Sequence, residues 1–157
     1  MIQQSLLSLL DDYRDGTQDP IKLLPALLAA ARSDQHKCWI SLIDDKQLTA
    51  YLMKLEGETP KTLPLYGIPF AVKDNIDLAG LPTTAACPGF SYEPTESATV
   101  VQLLIDAGAI PLGKTNMDQF ATGLVGVRSP EPWGACKNSL NPDMISGGSS
   151  SGSAVAL

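Results

Sequence analysis

At 157 residues, 44% hydrophobic and 18% charged, the chain has the length and composition of one globular unit and is too apolar for a disordered one. Its net charge of −6, with no Lys/Arg cluster to neutralise phosphates, argues against a nucleic-acid partner, and no apolar run has the length of a membrane span. Three widely spaced cysteines, Cys38, Cys87 and Cys136, suit neither a disulfide framework nor a zinc site; with an acidic N-terminus that lacks a basic n-region, they lead us to expect a reducing cytoplasm.

The first sixty residues read as a helical lead-in. Ile2, Leu6, Leu7, Leu9, Leu10 and Tyr13 recur near the helical period over residues 2–15, and Gly16 ends the pattern. Pro20 opens a second helix through Leu23, Leu24, Leu27, Leu28 and Ala31, closed by Ser33 and Asp34. Residues 39–43 form a strand or a short turn. Asp44 or Asp45 then caps a third helix, Lys46 to Glu56, which stops at Gly57. Residues 57–64 are loop.

At Leu65 the character changes. The apolar run 66–72 predicts a buried strand ending at Lys73, and residues 76–84 read as a strand and loop. A helix is expected over 98–107 with Val100, Val101, Leu103, Leu104 and Ala107 inward, stopped by Gly108. A second strand follows over 109–113. Strand, helix, strand in this order predicts a crossover unit of an α/β sheet. Residues 122–148, rich in Gly, Pro, Ser and Asn, form a long loop of the kind that carries function. A last helix begins near Ala154.

Lys73, at the end of an apolar run, is placed to lose its charge through desolvation and act as a general base; the alternative is a lysine that snorkels to the surface. The run from Ile145 to Leu157 holds Gly147, Gly148 and Gly152 among Ser149, Ser150, Ser151 and Ser153. It admits three readings. In a phosphate cradle, Ser153 stands where the P-loop needs Lys. A G-x-S-x-G elbow would centre on Ser150 and needs a histidine, and the sole histidine, His36, lies in the lead-in. The third reading is a plain helix cap. Lys114, Asn116, Asp118 and Gln119 form either a hydrogen-bond network beneath a site or a solvated helix start.

Three stretches, Gly67-Ile-Pro-Phe-Ala-Val-Lys-Asp-Asn75, Gly113-Lys-Thr-Asn-Met117 and Ser146-Gly-Gly-Ser-Ser-Ser-Gly-Ser-Ala154, together resemble the amidase signature family in order and spacing. Residues 74–88 and 116–130 are most similar to its allophanate hydrolase branch. An aminoacyl-tRNA amidotransferase subunit is the rival within the family. One departure is visible: Glu131-Pro132 stand between Ser129-Pro130 and Trp133-Gly134, where the family runs straight on.

The resemblance implies an α/β/α fold with a mixed central sheet, here the lead-in over 1–60 and the N-terminal portion of the amidase domain over 61–157. It implies hydrolysis of a C–N amide bond, most simply allophanate to ammonia and carbon dioxide, without metal or cofactor. It assigns Lys73 as the catalytic lysine and Ser149 as the bridging serine, whose preceding peptide bond is cis. Ala121, Thr122 and Gly123 line the substrate, and Gly147, Gly148, Ser150 and Ser151 support the loop. The partner is a small-molecule amide, with neither nucleic acid nor membrane, and a homodimer is compatible with the complete enzyme. The family nucleophile lies well beyond the bridging serine, whereas the sequence stops eight residues after Ser149. The expectation is therefore a fragment that is inactive alone, a non-catalytic remnant, or half of a split enzyme.

Overall fold

A computed structural model describes residues 4–157. In chain order it contains α1 (Leu6–Asp15), α2 (Pro20–Arg32), β1 (Trp39–Leu42), α3 (Asp45–Met53), β2 (Pro69–Lys73), α4 (Thr99–Asp106), β3 (Ile110–Thr115) and α5 (Ser151–Ala156), with short 3-10 turns at Pro88–Phe90 and Gln119–Ala121. Local chemistry explains the helix starts. The Ser5 side chain accepts from Ser8 N–H and opens α1. Asp19 accepts from Ile21 N–H ahead of Pro20, whose missing N–H has no helical partner at that position. Asp44 and Gln47 form a reciprocal capping box at α3. Ile2, assigned by its spacing to the first helix, lies outside the described residues.

The strands form one mixed sheet in the order β1-β3-β2. β1 runs antiparallel to β3, and β2 runs parallel to it. Parallel neighbours need a crossover, and α4 supplies it between β2 and β3. The first sixty residues therefore contribute an edge strand as well as helices. Leu24 and Leu28 of α2, Leu48 of α3 and Val101 of α4 meet Val72 and Ile110 in the main apolar cluster. A second cluster joins Leu9, Leu10 and Tyr13 of α1 to Ile68, just ahead of β2. α5 lies against β2 and β3.

Several elements differ from their sequence expectations. α3 ends at Met53 rather than Glu56, because Lys54, Leu55 and Glu56 bond to carbonyls three residues back and tighten the chain into turns. Residues 76–84 form no strand; isolated bridges join Leu78 to Leu81 and Thr83 to Tyr92, and the Leu78 and Leu81 side chains turn into the core. α4 buries Val101, flanked by the partly buried Ile105 and the N-cap Ala98, while Val100 and Leu103 are 58% and 62% exposed. β3 runs two residues beyond Gly113 and is buried throughout, lysine included. α5 begins at Ser151, three residues before Ala154.

Candidate active site

Lys73 closes β2, where an apolar strand delivers a cation to the sheet end. The parallel register sets Lys73 beside Thr115 and Val72 beside Lys114. Successive strand side chains face opposite sides of the sheet, so Lys73 and Thr115 share one face while Val72 and Lys114 share the other. α5 occupies the Lys73 face: Ser153 Oγ is 2.7 Å from Thr115 Oγ1. The loop leading into α5 brings Ser149 to the same place, and Lys73 Nζ donates to Ser149 Oγ at 2.7 Å.

The path into that contact depends on two glycines. Gly147 has φ +78°, a conformation that side chains disfavour. Gly148 lies so close to the Asp118 carboxyl and to Gly126 N that an added Cβ would overlap both. The Gly148–Ser149 peptide bond is cis. Gly148 N–H donates to Leu124 O at 3.0 Å, and Asp118 N–H donates to Ser149 O at 3.0 Å. These two bonds hold the serine loop against residues 118–124. Burial pulls the Lys73 pKa below its ordinary value, and the charge of Asp118 partly opposes that fall.

On the opposite face, Lys114 and Asp74 are both fully buried with Nζ and Oδ1 3.5 Å apart. Lys114 also donates to Thr83 Oγ1 at 2.9 Å and to Pro82 O at 3.2 Å. Asp74 Oδ2 accepts from Thr84 N–H, Thr84 Oγ1 and Ala86 N–H. This gathering of donors curls residues 82–86 back over the strand end, which is why no strand forms there. Burial lowers the Lys114 pKa, while Asp74 opposes the shift. Of Lys114, Asn116, Asp118 and Gln119, expected as either a network or a solvated helix start, the first three are buried and each bonds to a different segment, while Gln119 is half-buried at the start of a 3-10 turn.

The remaining assigned residues surround this centre. Ala121 and Thr122 are exposed and Gly123 is buried, its Cα pressed against Asp118. Ala121 has φ +57° and its N–H donates to Asp118 O. Ser150 precedes α5 and accepts from Ala154 N–H through its carbonyl. Ser151 is fully buried, and among the described residues its Oγ has no hydrogen-bond partner. The Glu131–Pro132 bond is cis, and Gly134 just beyond it accepts from Asn116 Nδ2. His36 Nδ1 lies 3.4 Å from Asp34 in the lead-in, and no hydrogen bond joins it to a serine. Among the described residues no three His, Cys, Asp or Glu side chains converge as metal ligands, and no helix is long and apolar enough to cross a membrane. Two surface hollows, one around Tyr51, Leu63 and Ile110 and one around Arg32, Trp39 and Leu42, lie away from Lys73 and Ser149.

The role of Asp118 was not legible in the sequence. The available signal was an acid four residues beyond a buried-strand lysine and followed by a glycine-rich loop, and nothing in that pattern says which backbone the acid gathers.

Comparison with known proteins supplies an independent line. The amidase family model matches residues 22–157. Urea amidolyase of Saccharomyces cerevisiae is 52% identical over 144 residues, covering 90% of this chain and 8% of that protein. A glutamyl-tRNA(Gln) amidotransferase subunit from Akkermansia muciniphila is 53% identical over 95 residues, 60% of this chain and 20% of that one. The solved structure of Kluyveromyces lactis allophanate hydrolase superposes with a TM-score of 0.82 at 47% identity, over 96% of this chain and 25% of that one. The chain thus spans less than a tenth of the urea amidolyase and a quarter of the hydrolase.

Proposed function

The chain belongs to the amidase family, and from that membership and the 2.7 Å contact of Lys73 with Ser149 we propose that it carries the base and relay of an amide-hydrolysing site acting on allophanate. Lys73 is the base in its neutral form, which burial favours. It takes the Ser149 hydroxyl proton along the same line on which the charged lysine donates. Ser149 in turn takes the proton of a nucleophilic serine placed, in this reading, beyond Leu157. That serine attacks the amide carbon, and the C–N bond breaks as the proton held by Lys73 returns through Ser149 to the leaving nitrogen. Water then hydrolyses the acyl-enzyme. Ala121, Thr122 and Gly123 line the substrate, and Gly147, Gly148, Ser150 and Ser151 hold the relay in place. Residues 1–60 are the lead-in and 61–157 the part that carries the motifs.

The similarity to urea amidolyase and to allophanate hydrolase at about half identity favours allophanate as substrate, hence a step in urea breakdown. A reducing cytoplasmic setting suits the free thiols of Cys38, Cys87 and Cys136. A small-molecule amide is the only partner the site calls for, and a homodimer is compatible with it. The amidotransferase relatives favour a second reading, in which the amide is a glutamine side chain.

The test is ammonia release by the full-length protein from allophanate and from glutamine. We expect turnover of allophanate and background rates with glutamine. The reverse result would establish the second reading, and no turnover of any amide would overturn both.

A further inference from the structure

Asp118 gathers more of the site than any residue assigned above. It is fully buried. Its Oδ1 accepts from Arg128 N–H at 2.7 Å, and its Oδ2 accepts from Gly126 N–H at 3.0 Å. Its own N–H reaches Ser149 O at 3.0 Å, and its carbonyl accepts from Ala121 N–H at 2.8 Å. The bare Cα atoms of Gly123 and Gly148 both press on its carboxyl, where a Cβ would overlap Oδ2. One residue therefore ties together the turn at 118–123, the loop at 126–128 and the loop that delivers Ser149. Hydrogen bonds from N–H to a carboxylate are the stronger, charge-assisted kind, and the low dielectric of a buried centre strengthens them further.

We infer that Asp118 is a positioning residue of this site: its backbone N–H holds Ser149 O, while its buried carboxylate holds residues 126–128 and packs against Gly148, and together they fix Ser149 Oγ within reach of Lys73 Nζ. The inference rests on the amidase reading for its catalytic meaning, and on geometry alone for the clamp. Asp118 also sets the electrostatics of the pair, since its charge is the one that opposes the burial of Lys73. It thus tempers how readily Lys73 loses its proton while holding Ser149 at the distance a transfer requires. Substrate need not touch it.

The discriminating variant is Asp118→Asn, which keeps the shape and one acceptor but turns an amide N–H₂ toward a backbone N–H. Three readouts on the full-length protein decide the matter. First, competitive acetylation of Lys73 across pH, read by mass spectrometry, reports the Lys73 titration without any turnover. We expect its midpoint to fall in Asp118→Asn, and an unmoved midpoint would overturn the electrostatic part. Second, kcat on the amide that the wild type turns over should drop about a hundredfold, the cost of a misplacement of about 1 Å, with KM near the wild-type value. An unchanged kcat would overturn the clamp. Third, amide hydrogen exchange on the wild type should show Gly126 and Arg128 N–H protected well beyond their neighbours in the loop. Exchange at open-loop rates would overturn the clamp even if the variant failed to fold. If the wild type hydrolyses no amide, the amidase reading fails, while the acetylation and exchange results still decide the role of Asp118.

Discussion

A lysine serves as a base only while it is neutral, so the state of Lys73 governs when this site can work. Its pKa lies below the ordinary 10.5 because burial disfavours the ammonium, with Asp118 pulling the other way. Activity of the full-length enzyme should therefore rise with pH through that lowered pKa and level off above it. Lys73→Ala should lower kcat by about 10²–10⁴, the usual contribution of a general base, while leaving the circular dichroism spectrum unchanged. Retained activity would remove Lys73 from the mechanism. The same shift has a stability signature. Between the lowered pKa and 10.5 the unfolded chain binds more protons than the folded one, so folding stability rises with pH across that window. Lys114 shifts in the same direction, so the pH dependence of Tm should be compared between wild type and Lys73→Ala. The difference isolates Lys73, and the wild-type Tm should rise relative to that of Lys73→Ala as the pH climbs.

At the scale of elements, α5 shows why packing overrides propensity. Gly152 lies in this six-residue helix, and its N–H donates to Asn116 O at 2.9 Å. A Cβ there would overlap Cys38 O and Asn116 N. Helix propensity favours Gly152→Ala by about 1 kcal/mol, but overpacking against fixed backbone costs about 1–3 kcal/mol. The second effect should win, so chemical denaturation should show a net loss of stability. Because Ser149 lies three residues before Gly152, the displaced helix should also weaken turnover; a variant as stable and active as wild type would refute this docking. Such backbone approach is invisible in a sequence, where Gly152 reads as one more glycine of a Ser-rich loop. The starts of the second and third helices were legible because Pro20 and Asp44 announce themselves by residue type and position, whereas the Ser5 cap was hidden by apolar spacing that runs on from Ile2. The crossover of β2, α4 and β3 was legible from the order of apolar runs. Residues 76–84 were not, because alternating apolar residues also suit a turn whose side chains plug a core. Val100 and Leu103 carried the apolar signal of an inward face, yet eight residues of helix present only one stripe to the sheet. Lys114 stayed open between a network and a solvated helix start because a charged residue rarely completes a buried strand, and Asp74, forty positions earlier, is what permits it.

For the whole molecule, Asn116 is the point where distant segments meet. Its Nδ2 donates to Lys37 O at 2.8 Å and to Gly134 O at 2.9 Å. Its Oδ1 accepts from Met117 N–H at 2.8 Å. Its backbone N–H reaches Cys38 O at 2.7 Å, and its carbonyl takes the bond from Gly152. The lead-in, the loop after the cis proline and α5 are thus held by one fully buried, fully satisfied side chain and its backbone. Asn116→Ala would leave the buried carbonyl of Gly134 and the part-buried carbonyl of Lys37 without this donor, at about 1–3 kcal/mol for the buried one, a sizeable part of the 5–15 kcal/mol that holds an ordinary domain together. Asn116→Asp has the same shape and the opposite chemistry, since its carboxylate would face those two carbonyl oxygens. An acid in that position has its pKa raised above the value near 3.9 of the unfolded chain, because only the protonated form can donate. The folded variant then binds more protons than the unfolded one across that window, so its stability falls as pH rises through it. Asn116→Asp should therefore unfold more easily than Asn116→Ala at pH 7 and recover toward it, or beyond it, as the pH drops toward 4. Urea denaturation of the three proteins across this range measures the crossing. Parallel pH dependence of the two variants would mean that the side chain of Asn116 does not face the carbonyls of Lys37 and Gly134.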